Sequence, residues 1–87
     1  MPHTLAEKTK ALARVSRIQG QIQALARLLE NEAACADVLQ QIAALRGAVN
    51  GLMSSVLESH LRESLGQAQA DSAVVDDTVA LVRSYLK

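Results

Sequence analysis

The sequence predicts an all-α protein, a single domain of three helices spanning residues 1–87. Three observations carry this. Apolar residues recur at alternating three- and four-residue spacings along most of the chain, the period of one face of a helix. No proline falls between Glu32 and Ser64, so one long helix can run unbroken there. Nearly half the residues are apolar but only Tyr85 is aromatic, so the core is aliphatic.

The first helix is expected over about residues 4–29. Thr4 followed by Glu7 matches a capping box, which sets the start. Its apolar stripe is Leu5, Leu12, Val15, Ile18, Ile22, Leu25 and Leu29. Opposite lie Lys10, Arg14, Arg17 and Gln21, three cations and an amide along one edge. No acidic residue interleaves between Lys8 and Arg27, so these cations are not used in i,i+4 ion pairs. Such an edge can track phosphates, although basic helix faces more commonly just meet water. The near absence of aromatic side chains argues against stacking on single-stranded bases and for duplex DNA. Arg46 of the long helix joins this candidate DNA-binding set. Asn31 suits the left-handed residue that ends the helix.

The long helix is expected over about residues 33–64. Val38, Ile42, Leu45, Val49, Leu52 and Val56 resemble a coiled-coil seam. A neighbouring stripe runs Cys35, Leu39, Ile42, Arg46, Val49, Met53, Val56, His60. Its thiol and imidazole share a side but stand roughly 37 Å apart at ~1.5 Å per residue. They can meet only between two copies, running antiparallel about a two-fold axis. That pairing puts the axis between Gly47 and Ala48, in a run of small residues that permits close approach. The simpler reading is that these small residues pack against the chain's own first helix. At this size one core is marginal, and oligomerisation is a usual remedy.

A last helix is expected over about residues 72–86, capped by Asp71 or Ser72 and burying Val75, Val79, Val82 and Leu86. Residues 65–70, including Gly66, read as a helix end and loop.

Composition narrows the function. Formal charge is zero overall, yet residues 1–29 hold five cations (Lys8, Lys10, Arg14, Arg17, Arg27) against Glu7 alone. A single cysteine excludes an internal disulfide framework. No signal peptide or membrane-length apolar run occurs, so a cytoplasmic protein with no membrane association is expected. No catalytic triad or phosphate loop appears, and the chain does not read as an enzyme.

With Cys35 and His60 placed, the chain resembles a known family, the small all-helical repressors typified by CsoR, RcnR and FrmR. The resemblance runs nearly end to end. It is strongest over Arg17-Ile18-Gln19-Gly20-Gln21-Ile22, from Leu39 through Arg46-Gly47-Ala48-Val49-Asn50-Gly51 to Met53, and from Val75-Asp76-Asp77-Thr78 to Tyr85-Leu86-Lys87. It implies a three-helix protomer, an antiparallel dimer and a dimer-of-dimers tetramer. Such a protein binds operator DNA without effector and releases it when effector binds. Arg14 and Arg17 match the family's DNA-contacting positions best.

The resemblance also frames the effector. In the family's metal sensors, ligands come from the N-terminal region, a cysteine at Cys35, a histidine at His60 and a side chain one turn later. Here that last position is Ser64, whose hydroxyl is a poor ligand for a soft or borderline cation. What remains is Pro2, His3, Cys35 and His60, with a tail like that of the FrmR branch, which senses formaldehyde. The chemistry fits. A thiolate adds to formaldehyde, and a neutral amine then displaces water to leave a methylene bridge. An α-amine with pKa near 8 is neutral in roughly a tenth of molecules at pH 7, whereas a lysine almost never is. Removal of Met1 would expose the secondary amine of Pro2. Pro2 and Cys35 are therefore the expected crosslinked pair, with His3, His60 and Ser64 supporting the site and no cofactor required. Two alternatives stay open. One is a metal-sensing repressor holding zinc, cobalt or nickel through His3, Cys35 and His60, with water or Glu63 completing the site. The other is a structural helical protein with no DNA role.

Overall fold

A computed structural model describes residues 4–67 and 71–85, and among them there are three helices and no strand. The first, α1, spans Leu5–Glu30. Thr4 caps it in extended backbone, its hydroxyl accepting the Glu7 N–H at 3.1 Å. This is the capped start that the Thr4–Glu7 spacing predicts.

The C-terminal end of α1 departs from expectation by one residue. Asn31 is not left-handed, with φ −90°. Its N–H still donates to the Arg27 carbonyl at 3.0 Å, which continues the helical ladder. The reversal falls on Glu32, at φ 53°. Glu32 N–H donates to Leu29 O at 3.2 Å and Ala33 N–H to Leu28 O at 2.9 Å. These two bonds form a Schellman motif, and its geometry places the left-handed residue just past the cap.

The long helix α2 spans Cys35–Gln67. It starts later than residue 33 because Ala33 is engaged in the Schellman turn and Ala34 caps the new helix. The Ala34 carbonyl accepts from Asp37 and Val38 N–H at 3.0 and 3.2 Å. It also outruns Ser64, passing through Gly66 without any positive φ. The last helix, α3, spans Ser72–Tyr85. Asp71 is its cap: Oδ1 accepts the Ala73 N–H at 3.2 Å and its carbonyl accepts the Val75 N–H at 3.0 Å. Val75 and Val79 are buried and Val82 is half-buried, as the stripe predicts. Leu86 and the loop residues Ala68–Ala70 lie outside the described residues.

These elements form a slab. α2 is central, with α1 packed on one flank and α3 on the other, and α1 does not touch α3. The chain measures 54 × 26 × 11 Å. A second layer of helices would add about 8–10 Å to the thin dimension. The radius of gyration is 16.7 Å, where a compact chain of this length has about 12 Å.

A slab one helix thick cannot hide its apolar stripes. Among the described residues only Val75, Val79 and Ser59 are buried. Leu12, Ile22 and Leu29 of α1 and Leu39, Ile42, Val49 and Met53 of α2 all remain exposed. Three of the seven residues assigned to the α1 stripe, Val15, Ile18 and Leu25, are half-buried against α2. The other four, Leu5, Leu12, Ile22 and Leu29, are exposed apolar surface in the single chain.

Candidate effector stripe and nucleic-acid face

Cys35 is the first residue of α2, and its free thiol is exposed. At about 100° per residue, Leu39, Ile42, Arg46, Val49, Met53, Val56, His60 and Ser64 return to the same side of the helix. All are exposed except Val56, which is half-buried. Cys35 and His60 thus flank an apolar strip, at opposite ends of one rod and roughly 37 Å apart along its axis. Among the described residues no three His, Cys, Asp or Glu side chains come together to hold a metal. Any site using both Cys35 and His60 requires a second chain. Pro2 and His3 lie outside the described residues.

The opposite side of α2 is different in character. Gly51, Ser54, Ser55, Glu58, Ser59 and Arg62 face a groove of about 490 Å³, together with Glu7, Lys10 and Arg14 of α1 and Arg83 of α3. The cationic edge of α1 therefore opens onto the face of the slab that lies away from Cys35 and His60. Its four predicted members differ in placement. Lys10 and Arg17 are exposed, whereas Arg14 and Gln21 are half-buried against α2. Arg14 Nη1 is 3.1 Å from the point where a Cβ on Gly51 would stand, and its Nε is buried with no hydrogen-bond partner. The Gln21 carbonyl accepts from Gln41 Nε2 at 3.4 Å, while Gln21 Oε1 is buried without a partner. Arg46 is not brought to this face in the single chain. It sits in the apolar strip between Ile42 and Val49.

Sequence reasoning missed the ionic cluster at the other end of the groove. Glu58 accepts from Arg83 and, at 3.4 Å, from Arg62, and Arg62 also reaches Asp76 at 3.0 Å. The hydrogen bond to Asp76, followed by that to Glu58, raises the Arg62 pKa above its ordinary value. Glu58 and Arg62 at i,i+4 were legible as a pair. The contribution of Arg83 depends on how α3 docks, which no local pattern encodes.

Comparison with known proteins decides the family. Residues 7–84 match the model of the metal-sensitive transcriptional repressors. The chain belongs to this family. It is a family of transcriptional repressors, not of enzymes, which implies DNA and other copies of the chain as partners. Within the family, the chain is 50% identical over its full length, and that of the relative, to an uncharacterised protein encoded in the bioA 5′ region of Serratia marcescens. It is 46% identical, again over the whole of both chains, to the transcriptional repressor RcnR of Citrobacter koseri. Among solved structures it is similar to a variant of the formaldehyde-responsive regulator FrmR of Salmonella enterica serovar Typhimurium. That match has a TM-score of 0.74 at 44% identity, covering 97% of this chain and 99% of the other. The CsoR/RcnR/FrmR resemblance read from the sequence is thereby upheld, with a likeness to FrmR. No described helix of this repressor is long and apolar enough to cross a membrane.

Proposed function

We propose that this repressor binds operator DNA in its effector-free state and is released by formaldehyde, through a methylene bridge between Pro2 and Cys35. The observation that carries the reading is the placement of Cys35. It is a free, exposed thiol at the first residue of α2, on the same strip as His60 and Ser64. One turn beyond His60 the strip offers a hydroxyl, which serves a borderline cation poorly. The likeness to a formaldehyde-responsive regulator supports the same effector.

The protomers pair antiparallel through the exposed strip of α2, and two such dimers form a tetramer. This pairing sets position 35 of one copy near position 60 of the other. In the reaction, the Cys35 sulfur adds to the carbonyl carbon of formaldehyde and gives an S-hydroxymethyl group. The secondary amine of Pro2, exposed once Met1 is removed, displaces the hydroxyl. One carbon then links nitrogen to sulfur, and the aldehyde oxygen leaves as water with the thiol and amine protons. The bridge draws the start of α1 toward α2 and shifts Lys10, Arg14 and Arg17 on the DNA. Effector and DNA thus favour different arrangements, which is a coupling between two sites. His3, His60 and Ser64 line the bridged site.

The family's metal sensitivity favours a second reading. Zinc, cobalt or nickel held by His3, Cys35 and His60 from two copies would serve as the signal, because three nitrogen or sulfur donors can hold zinc.

One experiment separates the readings. DNA-binding anisotropy of the reduced, metal-free protein is followed during titration with formaldehyde, and separately with each metal, and the samples are then peptide-mapped by mass spectrometry. Release by formaldehyde, with one carbon joining the Pro2 and Cys35 peptides, is expected. Release by a metal alone, with no adduct, would establish the second reading instead.

A further inference from the structure

The groove opposite the Cys35–His60 strip holds more cationic groups than the α1 edge supplies. Lys10 and Arg14 enter from α1, Arg62 from α2 and Arg83 from α3. Among the described residues no ion pair holds Lys10 or Arg14. At the far end Arg62 and Arg83 converge on Glu58, whose side chain is 22% exposed. One further donor in the groove lacks an acceptor. Arg14 Nε is buried without a partner. Ser59, 8% exposed, lines the same groove and offers a hydroxyl there.

An oxyanion would satisfy all of these groups. Guanidinium groups take phosphate oxygens in paired hydrogen bonds, and a hydroxyl donates to a third oxygen. In the free chain Glu58 is shared by Arg62 and Arg83, Arg62 also holds Asp76, and Glu7 is a second carboxylate on the groove wall. The Glu58 carboxylate keeps both cations aimed at the groove and lowers the net charge there.

We propose that this groove is a phosphate site on the repressor's DNA face, in which Arg83 of α3 acts with Lys10 and Arg14, and Glu58 holds Arg62 and Arg83 until a backbone phosphate of the duplex displaces it. The inference rests on the reading of this chain as a DNA-binding repressor. Arg17, exposed and three residues beyond Arg14 on α1, continues the cationic edge past the groove, so a polymer with regularly spaced phosphates can occupy both, and this favours duplex DNA over a free anion.

The test measures anisotropy of a fluorescein-labelled duplex of about 30 base pairs with the full chain, from about 50 to 200 mM salt. Phosphate contacts are independent of sequence, so a mixed sequence serves. Arg83→Gln is expected to weaken binding about three- to tenfold. It should also flatten the slope of log affinity against log salt by about 0.9 per groove engaged. Glu58→Gln is expected to do the reverse, tightening binding and steepening the slope. If the Glu58–Arg83 pair only fastens α3 to α2, both variants lose the same bond and shift in the same direction, which would overturn the proposal. So would two variants indistinguishable from wild type.

A parallel titration of 15N-labelled, DNA-free protein with inorganic phosphate, at fixed ionic strength, separates the sources. Saturable shifts at Ser59 and Gly51, combined with unaltered DNA binding by Arg83→Gln, would make free phosphate the occupant and overturn the DNA assignment. Wild type that binds no duplex at any salt would overturn the repressor reading itself, an outcome distinct from failure of the groove alone.

Discussion

The guanidinium of Arg14 lies over Gly51, with Nη1 3.1 Å from where a Cβ would stand. A cation of the proposed DNA face is thus seated on the one helical glycine of α2 that something approaches. Gly47 and Gly66 meet nothing within 4 Å.

Gly51→Ala should therefore separate stability from binding. Alanine is worth about 1 kcal/mol over glycine in a helix interior. The new methyl pushes the flexible end of Arg14 by a few tenths of an ångström. Thermal melting should show an unchanged or higher Tm, while anisotropy shows weaker DNA binding. Unchanged affinity would mean that Arg14 does not depend on its seat.

The exposed strip of α2 predicts that folding and assembly are linked. Met53→Glu places a charge among Leu39, Ile42 and Val49 and should dissociate the oligomer. Sedimentation should then report monomer with reduced helicity. The wild-type Tm should rise with protein concentration, as it must when a partner stabilises the folded chain by mass action. A concentration-independent Tm would count against the dimer.

Cys35→Ala should abolish the formaldehyde response and leave effector-free DNA binding within about twofold, because the thiol sits on the face away from the groove that holds Lys10 and Arg14. The check is anisotropy with and without formaldehyde, alongside intact mass. A variant that still responds would remove Cys35 from the mechanism.

Ser64→His adds an imidazole one turn past His60 on the same strip. Competition with a chromogenic chelator should show markedly tighter zinc, cobalt or nickel binding in this variant, since imidazole suits all three cations. Equal affinity would mean that position 64 does not face the site.

Glu32 occupies a left-handed conformation, which costs a residue bearing a Cβ roughly 1 kcal/mol. Glu32→Gly should raise stability by up to that amount, read as a Tm increase of a few degrees. Asn31→Gly should not, because Asn31 is not left-handed.

Much of this architecture was legible in the sequence, and the reasons are local. Helix period, the Thr4 cap and the valine stripe of α3 all depend on residues a few positions apart, and each was placed, while the cap of α3 was narrowed to Asp71 or Ser72 and falls on Asp71. The turn after α1 was misplaced by one residue because Asn31 and Glu32 carry competing signals, and only the hydrogen-bond ring decides between them. The same limit applied at Gly66, which ends many helices but is carried through here. The candidate site was less legible. A periodic pattern marked Lys10, Arg14, Arg17 and Gln21 as one edge, but it could not say that Arg14 and Gln21 turn inward. Nor could it place Arg46 on the other face, or bring Arg83 to Glu58 across 25 positions of chain.

The separation of Cys35 from His60 bears on dosage. In the proposed antiparallel dimer, two rods carry two identical pairings, one at each end, about 37 Å apart along the rod. On that proposal each end reacts on its own, and half-modified molecules lie between the silent and the derepressed state. How tightly such a hybrid grips its operator fixes the shape of the response: a threshold if one bridge is tolerated, a graded release if one is enough.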